Sequence, residues 1–492
     1  MLIQSDERNY RLTTAFPLAT FMRLPLIPWS SVGGYLFGYQ GPTVAQQDST
    51  TTLQSRAAPI NDIPVELLGE LFAACLRDAD PLWYYGRERP PVSNSPSNFF
   101  DPMTLGQVCR HWRAVALSMP TLWTSMRINS PRRGHLPLTQ TWLERSGVCP
   151  LRLFLFQDSG SEVESAVTDV LVALLNTQAH RWRSIDFRFF GKPPSALFKL
   201  SHGSLSQLVS ATLLTFRTSK TFSETSTLDT VWQIIHSTPT LRRVHWDSDY
   251  LISMPSHIPW RQLTDIRLNA RLSTTVIFDL LHHCPNTVSL EVHIEETASV
   301  PFNPVILPCL RHLCIRAECP LDPIFDQLTL PQISSLRLDR FHEPITSEEL
   351  SSLNHLLVSS NRYLQRLFFN DGQRESTRSN IVAMLRLPRL SCLKDLYIVS
   401  RVGDQVVQAL TCQPQHSRDH LLPVLEYLTI GDCRGTTPGL LGNMASSRAI
   451  AYDQLVKLRT LEIFCWDINM VDKEVLKKLS KDGLHISVEY DE

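Results

Sequence analysis

The chain has 492 residues, of which 43% are hydrophobic and 19% are charged, so it can bury a sizeable core. Its 47 basic and 48 acidic residues leave a net charge of −1, which gives no electrostatic reason to expect a nucleic acid or an anionic membrane surface as a partner. The 11 cysteines show no recurring short-range spacing, which favours a reducing cytoplasmic or nuclear compartment over a disulfide framework.

Residues 1–55 are predicted to form a disordered leader. The stretch from Gln46 to Gln54 is rich in glutamine, serine and threonine and lacks the apolar periodicity of a folded element. The most apolar part, Phe16–Tyr39, is interrupted by Arg23, Pro25 and Pro28, so it does not predict a membrane span. No membrane partner is therefore expected.

Residues 59–128 contain two amphipathic helical patterns separated by a polar interruption. Apolar residues in each pattern recur three and four positions apart, which places them on one helix face. They are Val65, Leu68, Leu71, Phe72 and Cys75 in the first pattern, and Leu105, Val108, Cys109, Trp112, Val115 and Met119 in the second. Pro120 ends the second pattern because proline cannot continue a helix. The interruption, 78–98, carries Pro90-Pro91 and a Ser/Asn-rich run and is predicted to be an exposed loop.

This segment resembles an F-box. The matching residues are Ile63-Pro64-x-Glu66-Leu67-Leu68, Leu71-Phe72, Leu105, Val108-Cys109-Arg110-x-Trp112-Arg113 and Pro120-x-Leu122-Trp123. The resemblance implies a helical module that docks on a Skp-family adaptor, which links it to a cullin scaffold. The adaptor interface would then be formed by Ile63, Pro64, Leu67, Leu68, Leu71, Phe72, Leu105, Val108 and Trp112. On this basis Leu68→Asp is predicted to abolish adaptor binding and leave the repeat region folded.

Residues 135–235 are predicted to form a linker and the first, weakly patterned strand–helix units. Helices are predicted over Leu136–Ser146 and from Ser161 to about Asn176, and strands over Leu151–Leu155 and Trp182–Phe187. The phrase from Trp142 to Leu155 resembles the segment that follows the F-box in many fungal proteins of this class.

In residues 236–492 a phrase with three apolar positions, apolar-x-x-apolar-x-apolar, recurs at unequal steps, often after a proline. Its first positions are Leu241, Leu263, Thr287, Leu310, Ile333, Leu364, Leu393, Leu425 and Leu458. The phrase resembles the core of leucine-rich repeats, in which the three apolar residues point inward from a short strand. Residues 274–284 and 347–358 are predicted to be helices that return the chain to the next strand.

The predicted fold is an α+β or α/β repeat, with a small N-terminal helical module followed by an irregular leucine-rich-repeat solenoid. Irregularity is expected because a regular repeat carries Asn or Cys at its ninth position. This chain has Asp249, Arg271, Glu295, Glu318 or Phe341 there.

The sequence contains no enzyme motif of the phosphate-loop, nucleophile-elbow, zinc-protease or dinucleotide-binding kind. Cys309, Cys314 and Cys319 are spaced by five, unlike zinc-binding pairs, and His282-His283 is expected to cap a helix or face solvent. No catalytic role, metal or cofactor is expected.

The outward strand residues form the predicted substrate surface, because Arg and aromatic side chains are common anchors of protein interfaces. The predicted substrate-binding residues are Arg243, His245, Arg267, His293, Arg337, Phe368, Tyr397 and Tyr427. The favoured function is the substrate-recognition subunit of a Skp–cullin–F-box ubiquitin ligase, located in the cytoplasm, the nucleus or both. The alternative is a leucine-rich-repeat interaction scaffold with a degenerate F-box and no ligase role. An enzyme with a site on the repeat face is a third possibility without a supporting motif.

Overall fold

The structure, a computed structural model, describes residues 63–76, 102–216, 228–246, 255–296, 303–340, 345–370, 378–412, 420–433, 435–450, 455–464 and 468–489. All of them belong to the unit Ile60–Tyr490. The predicted leader 1–55, the predicted loop 78–98, Asp249 and Phe341 lie outside the described residues.

The described elements alternate between helices and short strands along most of the chain. The helices are α1 (Val65–Leu76), α2 (Pro102–Val108), α3 (Arg110–Ser118), α4 (His135–Arg145), α5 (Glu162–Asn176), α6 (Asp229–His236), α7 (Thr274–His283), α8 (Asp322–Phe325), α9 (Ser347–Val358), α10 (Arg378–Leu385), α11 (Asp404–Leu410), α12 (Leu440–Arg448) and α13 (Met470–Lys481). Within the described part of the chain, no helix is long and apolar enough to cross a membrane.

The strands are β1 (Ser125–Asn129), β2 (Leu151–Phe156), β3 (Trp182–Phe190), β4 (Ser210–Phe216), β5 (Arg243–Trp246), β6 (Asp265–Ser273), β7 (Ser289–Glu296), β8 (Val305–Ile306), β9 (His312–Ala317), β10 (Leu328–Thr329), β11 (Ser335–Arg340), β12 (Arg366–Asn370), β13 (Asp395–Arg401), β14 (Tyr427–Asp432), β15 (Thr460–Phe464) and β16 (His485–Glu489). All except β8 and β10 form one 14-stranded parallel sheet in chain order. The two short strands pair with each other.

The predicted fold class is wrong. A large all-parallel sheet with interleaved helices defines an α/β fold, not a helical module followed by a solenoid. The sheet already begins at Ser125, directly after the helical segment, and the core runs continuously from Leu68 to Leu484. The repeated phrase indicates which strand residues are apolar. It does not indicate whether consecutive strands pair into one sheet, so it could not distinguish an α/β fold from a solenoid.

The local predictions within the repeats are confirmed. All nine first apolar positions are buried, with 0 to 1% of each residue exposed. The later two positions of each phrase lie within strands, as Val244 and Trp246 do in β5, and both of these side chains are buried. Burial of one such aliphatic side chain contributes about 1.5–3 kcal/mol. The predicted return helices correspond to α7 and α9.

The helical segment and the sheet share one aromatic cluster. The rings of Trp123 and Trp142 meet edge to face, with centroids 4.7 Å apart. Trp123 Nε1 donates to the Ala116 carbonyl at 2.8 Å, and Trp142 Nε1 donates to the Ser125 carbonyl at 3.2 Å. Because these bonds tie α3 to the start of β1, the helices pack as part of the α/β unit.

Carboxylates on several helices accept hydrogen bonds from backbone amides of a neighbouring helix or turn. Asp472 accepts from the Gly442 amide at 2.6 Å, and Asp169 accepts from the Ala196 amide at 2.8 Å. Glu349, which is fully buried, accepts from the Leu321 amide at 2.7 Å. These bonds satisfy amides near helix starts, which have no partner within their own helix.

Gly431 is required by a close approach between β13 and β14. The register of these strands shifts between Ile398 and Arg401. A Cβ atom at Gly431 would lie 2.6 Å from the carbonyl oxygen of Val399 and 2.7 Å from its Cα. We expect Gly431→Ala to lower the free energy of unfolding by about 2–3 kcal/mol, since backbone atoms cannot move aside cheaply.

Gly134→Ala is the matched control in urea unfolding. Its added Cβ would meet no atom within 4 Å, and its φ of −64° suits any residue. We expect the control to change stability by no more than about 0.5 kcal/mol. Equal effects of the two substitutions would contradict the close approach.

A histidine pair, of which His236 is buried and His257 is partly buried, connects α6 to the segment after β5. Trp246 Nε1 donates to His236 Nε2 at 3.2 Å, His236 Nδ1 lies 3.0 Å from His257 Nδ1, and His257 Nε2 lies 3.0 Å from Asp229 Oδ1. The indole N–H can only donate, so His236 Nε2 must accept. Neutral His236 therefore carries its proton on Nδ1 and donates to His257 Nδ1, which leaves the His257 Nε2 proton for Asp229.

Burial, assisted by His257, lowers the pKa of His236 from its ordinary 6.5 to about 3. Between these two values the unfolded chain binds a proton that the folded chain does not, so stability falls as pH decreases through this range. At pH 5 this loss amounts to about 2 kcal/mol relative to pH 7.

Urea unfolding at pH 7 and pH 5 measures this loss. In His236→Gln, the difference between the two pH values should be about 2 kcal/mol smaller than in the wild type. His283→Gln, at an exposed position, should retain the wild-type difference. An unchanged difference in His236→Gln would refute the role of His236.

Candidate functional site

The first candidate surface lies on α1. Its buried side carries Leu68 and Phe72, each 1% exposed, and the Phe72 ring packs on Trp112 with centroids 4.9 Å apart. A neighbouring side, about 100° further round the helix, carries Leu67 and Leu71, which are 58% and 50% exposed. Residues four apart share a helix face. The helix therefore presents an apolar stripe to solvent in addition to the one it buries.

The neighbouring helices are shorter than the sequence pattern suggests. The pattern predicts one helix across Leu105 and Trp112, but the structure has a break at Cys109, where φ is −156° and ψ is 173°. Cys109 Sγ accepts from the Trp112 amide at 3.4 Å and so caps α3. Val108, directly before the break, is 53% exposed.

The predicted adaptor residues thus fall into three groups. Pro64, Leu67, Leu71 and Val108 are exposed, Ile63 and Trp112 are partly buried, and Leu68, Phe72 and Leu105 belong to the core. Sequence periodicity missed this division because a helix with apolar residues on two sides has no single inward face. The division also changes the proposed substitution test. Leu68→Asp would bury a carboxylate, so it would disrupt packing whether or not an adaptor binds.

The second candidate surface is the outer face of the sheet, formed by strand side chains that alternate with the buried ones. Strand register places one row of these residues side by side: His245, Arg267, Glu291, Cys314, Arg337, Phe368, Tyr397, Thr429 and Glu462. Five of the eight predicted substrate residues lie in this row. Arg243 and Tyr427 lie two residues earlier on their strands, and His293 lies two residues later on β7.

Charges alternate in sign across the centre of this face. Arg267 Nε lies 3.5 Å from Asp265 Oδ1 and 3.9 Å from Glu291 Oε2. Arg316 Nη2 then reaches Glu291 Oε1 at 2.8 Å, and its Nε lies 3.9 Å from Asp339 Oδ2. Burial raises the pKa of Asp265, and Arg267 offsets part of that rise. Here the charged side chains satisfy one another.

A second set of ion pairs surrounds His293. His293 Nε2 lies 3.1 Å from Glu318 Oε1, and Arg271 Nη1 lies 3.3 Å from the same oxygen. Burial lowers the pKa of His293, while Glu318 partly opposes that shift. Sequence reasoning did not select Glu291, Glu318 or Asp339 as site residues. Oppositely charged outward positions in adjacent strands indicate such pairing once the register is known.

The outer face becomes aromatic towards β14. The guanidinium carbon of Arg337 lies 3.9 Å from the centroid of the Phe368 ring, and Arg337 Nε donates to Asp339 Oδ2 at 2.7 Å. Phe368 stacks on Tyr397 with centroids 6.2 Å apart. Phe368 is 8% exposed, whereas Tyr427 is 39% exposed. Of these aromatic residues, Tyr427 therefore offers the most ring surface to a partner.

Two concavities lined by described residues are small or open. One, of about 40 Å³, lies on the outer face beside Arg243, His245 and Arg267 and has room for about one water molecule. The other, of about 510 Å³, is an open cleft beside Trp260 and His283. No cluster of three or more His, Cys, Asp or Glu among the described residues could hold a metal ion.

Comparison of the sequence with models of protein families and with curated proteins finds no match. The functional conclusion therefore depends on the residues and geometry of the chain itself.

Proposed function

We propose that this chain is the substrate-recognition subunit of a Skp–cullin–F-box ubiquitin ligase. Helices α1–α3 dock on a Skp-family adaptor, which connects the chain to the cullin scaffold. The outer face of the sheet binds a protein substrate. The chain catalyses no step itself and needs no cofactor. It acts by raising the effective concentration of substrate lysines near a conjugating enzyme, in the cytoplasm or nucleus.

The observation that carries the proposal is the exposed apolar stripe of Leu67 and Leu71. Soluble chains bury most large aliphatic side chains, and an exposed group of them is typical of an interaction site. Pro64 lies on the same side of the chain, because it precedes Leu67 by three residues and Leu71 by seven. All three residues belong to the F-box-like motif, and Val108 adds a fourth exposed residue from it.

Co-purification with a Skp-family adaptor tests the proposal. The full chain and the adaptor are co-expressed, and a standard F-box protein serves as the positive control. We expect a complex that survives size-exclusion chromatography and then binds the cullin scaffold. If the chain fails to retain the adaptor where the control retains it, the ligase role is excluded, and an interaction scaffold with a degenerate F-box takes its place.

A further inference from the structure

On the outer face, one of the chain's own arginines is bound between an aromatic ring and a carboxylate. Arg337 lies over the Phe368 ring of the next strand and donates to Asp339, two residues further along its own strand. Arg337 is opposite Phe368 in the register of β11 and β12. An aromatic ring, an arginine opposite it and a carboxylate two residues beyond that arginine therefore make up one arrangement. Cation–π attraction and a charged hydrogen bond stabilise it together.

A related spacing recurs between β14 and β15, where the ring lies on the earlier strand and the other two positions lie on the later one. Tyr427 supplies the ring, Thr460 stands opposite it in the register, and Glu462 follows two residues later. Thr460 thus occupies the position that corresponds to Arg337. Its side chain is much shorter than an arginine side chain and carries no charge. The ring and the carboxylate are present here, but no guanidinium among the described residues forms an ion pair with Glu462.

The charge around Glu462 also differs from that at the centre of the sheet. Its carboxylate accepts from Thr429 Oγ1 at 3.0 Å, and no Lys or Arg of the described residues forms an ion pair with it. Burial raises the pKa of Glu462, and the Thr429 hydroxyl and His485 offset only part of that rise. Asp395, opposite Tyr427 on β13, already bonds to Arg366 Nε at 2.6 Å. This part of the face therefore favours a cation from outside.

We propose that Tyr427, Thr460 and Glu462 form a receptor for one arginine side chain of a basic segment in a protein partner. The guanidinium stacks on the Tyr427 ring and donates to Glu462, above the short side chain of Thr460. Arginine suits this arrangement better than lysine because its planar group can stack and donate simultaneously. The inference deepens the function proposed above, since it assigns a chemical class to the substrate of the outer face.

A peptide array tests the receptor directly. Random 12-residue peptides, each with one central arginine, are paired with copies in which citrulline, a neutral isostere, replaces that arginine. The labelled full chain should bind a subset of the arginine peptides, and citrulline should weaken each of them about tenfold or more. The inference is overturned if no peptide depends on its arginine.

Three variants locate the binding. Glu462→Gln removes the charge but keeps an acceptor for Thr429, and Thr460→Arg supplies an internal guanidinium that competes with the peptide. Both should weaken arginine-dependent binding about tenfold. Glu318→Gln, at a carboxylate of the outer face already paired with Arg271 and His293, should stay within about twofold of the wild type. Wild-type binding by both test variants, or an equal loss in the control, would overturn the assignment.

Adaptor binding is measured on the same preparations. Glu462→Gln and Thr460→Arg should retain the adaptor and the wild-type urea midpoint, which excludes unfolding as the cause of weaker peptide binding. If the wild type selects arginine peptides but never binds an adaptor, the receptor remains and the ligase role fails. If it binds the adaptor but selects no arginine peptide, the ligase role stands and the arginine receptor fails.

Discussion

Leu71→Asp should reduce adaptor binding by at least about 30-fold, equivalent to about 2 kcal/mol, and leave the chain as stable as the wild type. Leu71 is 50% exposed, so a carboxylate at this position stays hydrated in the free chain and costs little. On docking it would be desolvated against an apolar partner surface without a compensating charge. Calorimetric titration with a purified Skp-family adaptor measures the affinity, and thermal unfolding measures the stability.

Two further leucine-to-aspartate substitutions serve as comparisons for this result. Leu117→Asp places the same charge on α3 at a residue that is 44% exposed and outside the predicted interface, so both affinity and stability should remain at wild-type values. Leu68→Asp places it in the core and should lower the free energy of unfolding by about 3 kcal/mol or more. Wild-type affinity in Leu71→Asp would show that α1 does not dock through its exposed side.

Arg448→Met should lower the free energy of unfolding by about 3–5 kcal/mol. Arg448 is 1% exposed. Its guanidinium donates to the carbonyl oxygens of Leu410 at 2.5 Å, Leu422 at 3.1 Å and Leu421 at 2.6 Å. Burial lowers the pKa of Arg448, but its three carbonyl partners hold the group in place. Methionine is a shorter, unbranched side chain with no donor, so it would leave these oxygens unsatisfied.

The backbone around Leu422 adds to the expected effect. Leu422 has a φ of +53°, a left-handed conformation that costs a branched residue about 1 kcal/mol or more. The bond from Arg448 helps to hold it there. Arg448→Lys should recover part of the lost stability, because an ammonium group can donate to some of the three oxygens.

Urea unfolding quantifies these Arg448 variants, and hydrogen exchange at residues 420–425 detects local opening. Arg386→Met, at an exposed arginine on the surface, is the control and should change stability by less than about 0.5 kcal/mol. A loss of similar size in Arg386→Met, or none in Arg448→Met, would contradict a specific role for the buried guanidinium.

Elements with a strong apolar period were predictable from the sequence. The segment from Glu162 to Asn176 forms the expected helix, capped by Ser161, whose hydroxyl accepts from the Glu164 amide. The three apolar positions of the repeated phrase predict strands and buried residues correctly. The reason is that both features depend on spacing along the chain, which burial and backbone geometry impose locally.

The helix break at Cys109 was not predictable in the same way. Val108, Cys109 and Trp112 keep a helical spacing, yet the backbone at Cys109 is extended and its sulfur caps the next helix. The ion pairs between carboxylates and arginines of the outer face were not predicted, for a related reason. Their partners lie on adjacent strands, as Glu291 and Arg316 do, and only the register of those strands brings them together.

By itself, the sequence determined the strands and inward apolar positions of the repeated phrase, several helices such as Glu162–Asn176, and the F-box-like motif that gives the proposed function its class. Only the tertiary structure decided that all the main strands join one parallel sheet beginning at Ser125. It also decided that Leu68 is buried while Leu67 and Leu71 are exposed, and that Thr460 stands beside Tyr427 where an arginine stands beside Phe368. The physical reason is common to all three. Periodicity is a property of neighbours in the chain, whereas pairing, burial and charge compensation depend on residues far apart in sequence.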